Sequence, residues 1–359
     1  MRSLRRSIFI ITLILIAVGI VMIYSSSGIY AHEKYGSSFF FLKRHLLFCA
    51  IGVLSMLFVM LIDIGRIERH TKIFLLIAVT LLIGVLMPGL GIVAGGARRW
   101  FRIGGLSFQP SEFAKLALIV YLASFFSRKG DRIKDLFLGY LPCMAAVACL
   151  SFLVILQPDL GTAVAVFFVG FLIIFIGGGK LKHLINTLLI GTPFLYYIIF
   201  SAPYRKKRIL IFLNPWCDRE GSGFQIIQSF LALGSGGLFG VGLGQSKQKL
   251  FYLPASHTDF IFSIIGEELG FIGAAFVVVL FGMLFWQGMR AFLREHRPFN
   301  RIIIFGVTCM IAFEALVNIG VSIGAFPTKG LPLPFISYGG SSLIFHMTAI
   351  GLMLNAMKE

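Results

Sequence analysis

The stretch FYLPASHTDFIFSIIGEELG, residues 251–270, runs from a polar, proline-broken loop straight into an apolar segment that continues to Trp286, with an acid, Asp259, at the join. A carboxylate at the water-facing mouth of a membrane segment is costly to desolvate, so such an acid points to function. Whether the segment behind it crosses a membrane is decided by composition. Hydrophobic residues make up 58% of the 359, and charged residues only 13%. That is more apolar surface than a soluble core of this size can bury, so the chain is read as an integral membrane protein.

Runs of roughly 20 apolar residues cross a bilayer as helices, because lipid offers backbone groups no hydrogen-bond partners. The alternating polarity of a barrel strand is absent. The expected class is therefore all-α, a polytopic protein of about ten spans in a single membrane domain, 1–359. The spans are placed at Ile8–Tyr24, Leu46–Ile62, Ile73–Leu90, Phe113–Phe126, Leu136–Leu156, Leu160–Ile176, Leu184–Phe200, Phe260–Trp286, Ile302–Ala325 and Leu343–Leu354. Residues 1–24 resemble a signal peptide but lack an A-x-A site, and are read as an uncleaved first span.

Arg66, Arg69, Arg128, Lys129, Arg132, Lys134, Lys180, Lys182, Arg290, Arg294 and Arg297 share one side, which sets that side and both termini in the cytoplasm. The other side is basic too, with Arg98, Arg99 and Arg102, Arg205 to Arg208, Lys247, Lys249 and Lys329. Cations placed outside against the insertion bias answer an anion there, either a phosphate-bearing substrate or lipid headgroups. The net charge of +17 is scattered over short loops, which argues against nucleic acid. Of five cysteines, Cys49, Cys143, Cys149 and Cys309 lie in apolar runs and Cys217 in a loop, so neither a metal knuckle nor a disulfide framework is indicated.

The long loop, 201–258, is extracytoplasmic in this reading. Its apolar, glycine-broken part at 223–240 is too short to span and is expected to lie on or dip into the membrane.

Asp259 is as readily an N-cap as a catalyst when taken alone. His257, Thr258, Lys247 and Lys249 stand near it in sequence and favour a general base. Glu267 and Glu268 lie roughly 12 Å further along a helix. That exceeds the ~6.5–9.5 Å of a paired-carboxylate mechanism, so they read as partners for a buried cation or polar backbone, as do Glu314 and Asp159. Arg98, Arg99 and Arg102 beside Trp100 suit either an interfacial anchor or a diphosphate. The loop FPTKGLPLPFISYGGSS, 326–342, has too many prolines and glycines for a helix. It can present amides, Lys329 and hydroxyls such as Ser337 to a phosphate.

The segments GARRWFRIGGLSFQPSEFAKLAL, QPDLGTA, NPWCDREGSGFQIIQSFLALGSGGLFGVGLGQSKQKLFYLP, HTDFIFSIIGEELGFIG and PTKGLPLPFISYGGSS resemble the SEDS family of shape, elongation, division and sporulation proteins along essentially the whole chain. The NPW, GSGFQ and GVGLGQSKQKLFYLP segments are more similar to its division and sporulation branches than to its elongation branch. The resemblance implies a ten-helix enzyme at the division septum that polymerises lipid II into glycan strands and releases undecaprenyl diphosphate. It also implies a class B penicillin-binding transpeptidase as partner among other divisome membrane proteins, and a divalent cation (Mg or Mn) whose site no ligand spacing fixes. The family's essential acid falls on Asp259, its loop arginine on Arg99 and its last-loop lysine on Lys329. Many relatives carry Glu where this chain has Ala255, so a role for that acid does not transfer. A lipid II flippase and a scaffold recruiting the transpeptidase stay open as alternatives.

Overall fold

The computed structural model describes residues 1–94, 96–103, 106–219, 221, 223–249, 258–328 and 330–358. Long apolar runs become helices throughout. In chain order these are α1 (Arg2–Tyr35), α2 (Phe40–Leu61), a short α3 (Ile64–Arg69) and α4 (Thr71–Leu86). After three strands come α5 (Pro110–Lys129), α6 (Leu141–Ile155), α7 (Leu160–Ile176), α8 (Leu181–Ser201), α9 (Pro203–Leu213), α10 (Phe224–Ser235), α11 (Ile261–Arg294), α12 (Pro298–Ser322) and α13 (Gly340–Ala356).

Each of the ten expected spans overlaps a helix, and the multi-pass membrane class is borne out. Six helices are long and apolar enough to cross a bilayer by length and composition, and shorter apolar helices at Thr71–Leu86, Leu160–Ile176 and Gly340–Ala356 pack among them. Of the six, α12 is the most enclosed, wedged between α5, α7, α11 and α13. α13 lies along α2 so closely that a Cβ on Gly52 would meet the Sδ of Met347 at 2.4 Å.

Three differences from the sequence reading bear on the site. The first span does not stop at Tyr24 but continues to Tyr35, because Ser25 to Ser27 do not break the helix. Ser27 donates back to the carbonyl of Ile23 at 2.6 Å, which satisfies its hydroxyl inside the helix.

The segment between α4 and α5, read as a loop, is a small antiparallel sheet of β1 (Ile92–Ala94), β2 (Ala97–Ile103) and β3 (Leu106–Phe108), in the order β1-β2-β3. Val93 pairs with Arg98 and Phe101 with Phe108. The turn between β1 and β2 places Gly96 at φ 77, where a Cβ would be strained.

The segment 260–286 is not one continuous span. Gly270, at φ 69 and ψ −168, splits α11 into 261–269 and 271–294. Backbone from 236–242 fills the break. Val241 and Gly242 donate to the carbonyls of Glu267 and Glu268, and Phe271 and Ile272 donate to those of Gly237 and Leu238. The long loop therefore holds two helices, α9 and α10, and its apolar part packs against the bundle, with Ile226, Ile227 and Ser229 buried.

Candidate active site

Asp259 is the residue of the site with the fewest obligations. The N-cap of α11 is Phe260 and makes no side-chain capping bond, so Asp259 does not cap the helix. Its carboxylate makes no hydrogen bond or ion pair among the described residues and keeps partial exposure. Its backbone, by contrast, is held firmly. Asn318 of α12 donates from Nδ2 to the carbonyl of Asp259 at 2.9 Å and to that of Leu331 at 2.8 Å. One residue earlier, Ser337 donates to the carbonyl of Thr258 at 2.6 Å while accepting from the amide of Leu333 at 2.8 Å.

These bonds lock the last loop against the acid. A Cβ on Gly330 would lie 3.6 Å from Oδ2 of Asp259. Phe335 holds φ 65, a conformation that costs a non-glycine residue about 1–3 kcal/mol and persists only where surrounding contacts impose it. Lys329 and His257 lie outside the described residues, although the neighbours of Lys329, Thr328 and Gly330, stand beside the site.

Arg99 sits at a bulge in β2. Ile92 pairs with Trp100 and Val93 with Arg98, so Arg99 is the extra residue between two consecutive partners. Its guanidinium reaches the 157–159 turn. Its Nε donates to the carbonyl of Gln157 at 3.0 Å, Nη2 donates to that of Pro158, and Nη1 lies 3.8 Å from Asp159. Asp159 caps α7 through the amide of Thr162 at 3.2 Å and accepts from Nε2 of Gln109 at 3.3 Å. Ser341, at the start of α13, accepts from the amide of Gln109 and donates to the carbonyl of Ser107, fastening the sheet to the last loop.

Burial raises the carboxyl of Asp259 from its ordinary range to about 6. The positive charges of Arg208 and Arg99 work against that rise, and the negative charge of Asp159 adds to it. An acid poised there is part ionised near neutrality and can accept a proton.

The expected cations divide. Lys247 is exposed, with its backbone amide donating to Oε1 of Glu267 at 2.9 Å. Lys249 is corrected by the structure. It is buried and its ammonium is 2.8 Å from Glu268, which also accepts from Ser25, so it braces the loop and does not face an external anion. The reading of Glu267 and Glu268 as partners for a buried cation and polar backbone fits this geometry, since Glu267 also accepts from Ser246. Glu314 is equally engaged, between Lys115 at 2.5 Å and His346 at 2.5 Å, with Glu112 2.9 Å from Lys115.

Asn318, Gln109 and Arg208 escaped the sequence reading as site residues. Asn318 had a signal, an amide inside an apolar span, and Arg208 stood within the basic run 205–208. Gln109 had none.

Comparison with known proteins fits this arrangement. Residues 5–359 match the cell cycle protein family named for FtsW, RodA and SpoVE. Stage V sporulation protein E of Bacillus subtilis is 46% identical over 97% of this chain and 95% of its own length. A probable peptidoglycan glycosyltransferase FtsW of Geobacter metallireducens is 42% identical, covering 99% and 96%. Among solved structures, a chain of a peptidoglycan synthase complex that coordinates polymerization and crosslinking superposes with TM-score 0.81 at 31% identity, covering 98% and 96%. The rod shape determining protein RodA of Thermus thermophilus gives 0.70 at 28%, covering 98% and 95%.

Proposed function

This chain belongs to the FtsW, RodA and SpoVE family of cell cycle proteins, and on that premise we propose that it is a peptidoglycan glycosyltransferase with Asp259 as general base. The observation that carries the assignment is a partly exposed carboxylate that makes no hydrogen bond or ion pair among the described residues and whose backbone is pinned from α12 and from the last loop. The side chain is free to act while its position is fixed.

In the reaction, the acceptor sugar hydroxyl of one lipid II attacks the anomeric carbon of another. The new oxygen–carbon bond forms as the bond to the diphosphate breaks, on opposite faces, so the configuration inverts. The hydroxyl proton passes to Asp259. Undecaprenyl diphosphate, carrying the bonding electron pair, is stabilised by cations around the mouth, where the sequence reading put Arg99 and Lys329.

A divalent cation is compatible with the residues present. The carboxylate of Asp259 has no hydrogen bond or ion pair among the described residues, and Asp159, which also meets Thr162, Gln109 and Arg99, is near enough to raise its proton affinity. Two acids with phosphate oxygens and water suit Mg or Mn, although no group of three or more potential metal ligands occurs among the described residues. Such an ion would neutralise charge on the departing diphosphate.

The site faces outward and both termini face the cytoplasm, at the division septum. The structural likeness to a synthase that also crosslinks supports a class B penicillin-binding transpeptidase as partner. Transport fits less well, because the intramembrane acids it would use are each engaged: Glu268 by Lys249, Glu314 by Lys115 and His346, and Glu267 by the 246–247 loop.

Lipid II polymerisation by the purified partner complex tests the assignment. Asp259→Asn should give no glycan strands at an unchanged thermal midpoint, and wild-type polymer from that variant would end the proposal.

A further inference from the structure

Which cation meets the diphosphate depends on which has donors to spare. Arg99 has few. Its Nε and Nη2 are taken by the carbonyls of Gln157 and Pro158, and Nη1 faces Asp159. These contacts fix the turn that presents Asp159 and leave little of the fork for a ligand.

Arg208 differs on each count. It is exposed on α9, and its one recorded hydrogen bond is long, Nη1 to the carbonyl of Thr328 at 3.4 Å. The helix carrying it is held by its neighbours. Arg205 donates to the carbonyl of Ile198 at 2.9 Å and to the hydroxyl of Tyr204 at 2.8 Å, and Lys207 pairs with Asp218 at 2.9 Å. The guanidinium also lies over the ring of Tyr204, 6.0 Å from its centre. Thr328 is two residues from Gly330, which borders Oδ2 of Asp259. Arg208 therefore stands at the mouth beside the acid, yet the two form no ion pair among the described residues. A long bond to one carbonyl is readily exchanged for the charge-assisted, bidentate bonds a phosphate offers.

We propose, resting on the glycosyltransferase reading above, that Arg208 is the guanidinium that binds the diphosphate and that Arg99 is a positioning residue acting through the 157–159 turn and Asp159. The sequence gives the anion to Arg99 and Lys329, whereas the carbonyls of Gln157 and Pro158 give Arg99 another task.

The test is calorimetric titration of inorganic pyrophosphate into the full-length chain in nanodiscs of phosphatidylcholine. Arg208→Gln should weaken binding on the order of tenfold or more, the loss of a charge-assisted bond, with an unchanged thermal midpoint. Arg208→Lys should retain part of the affinity, because it keeps the charge and loses the fork. In metal-free buffer with a chelator, Asp259→Asn should bind pyrophosphate at least as tightly as the wild type, since a repelling carboxylate is gone. Arg99→Gln should keep pyrophosphate affinity near that of the wild type while moving the acidic limb of polymerisation upward, and a loss of affinity equal to that of Arg208→Gln would overturn the division of roles.

Absence of pyrophosphate binding by the wild type would overturn the proposal, as would wild-type affinity in Arg208→Gln. A repeat in nanodiscs containing phosphatidylglycerol separates the remaining source of phosphate. If that lipid abolishes pyrophosphate binding to the wild type but not to Arg208→Gln, Arg208 is a headgroup anchor and the proposal falls. Binding is read without turnover, so an active Asp259→Asn enzyme would refute the general base and leave the anion site standing.

Discussion

Asp259 is a residue whose surroundings and chemistry can be checked against pH. Its carboxyl, raised to about 6 mainly by burial, is mostly protonated at pH 5 and mostly ionised at pH 7. Polymerisation should therefore rise about tenfold between those values, with its acidic limb near 6 and not near the ordinary carboxylate range. A limb below 5 would show that another group is titrating. Stability runs the other way. A carboxyl with a raised folded-state pKa favours the fold when protonated, so its contribution is complete below the ordinary range and lost as pH rises through about 6. The acid itself was legible in the sequence from its place between polar loop and apolar span. Its freedom from helix capping was not, because the cap position depends on where the helix starts, at Phe260 or one residue before.

At the scale of the element, the broken helix α11 and the strip 236–249 depend on each other. Gly270 sits at φ 69, and a Cβ there would come within 2.3 Å of the amide nitrogen of Gly240 and 2.5 Å of the carbonyl of Leu238. Gly270→Ala should cost at least about 2 kcal/mol. A lower thermal midpoint together with reduced polymerisation would report it, because the half-helix 261–269 carries Asp259 at its leading end. Lys249 and Glu268 close the strip onto α1 through Ser25. Removing one partner of such a buried pair costs about 3–5 kcal/mol, whereas replacing both with apolar groups is often near neutral. Lys249→Met should destabilise strongly and Lys249→Met with Glu268→Leu should recover most of the loss. A double variant no better than the single would show that the pair does not act as a unit.

Across the whole molecule, the helices supply a rigid frame and the outward loops supply the chemistry. Charged residues inside the frame join helices to one another. Lys115 of α5 bridges Glu112 and Glu314, and Glu314 of α12 reaches His346 of α13. The proposed orientation has a direct check in the cysteines. Cys217 is exposed in the segment read as outward, Cys149 is exposed within the apolar helix α6 and is replaced by Ala for the test, and Cys49, Cys143 and Cys309 are buried. A membrane-impermeant maleimide applied to intact spheroplasts should label Cys217, and labelling only after lysis would reverse the topology.

Hydropathy is a sum over consecutive residues, so the membrane class, the roughly ten spans and the acid at one mouth could be read from residue order, as could the family resemblance in contiguous motifs. Which charges meet could not. Arg99 and Asp159 are 60 positions apart and Arg208 and Thr328 are 120 apart, so no local pattern joins them. Lys249 looks like a substrate cation in the sequence because its partner, Glu268, is 19 positions away, just before the helix break that one glycine conformation creates. Partnership between distant charges is set by packing, and packing is a property of the folded chain.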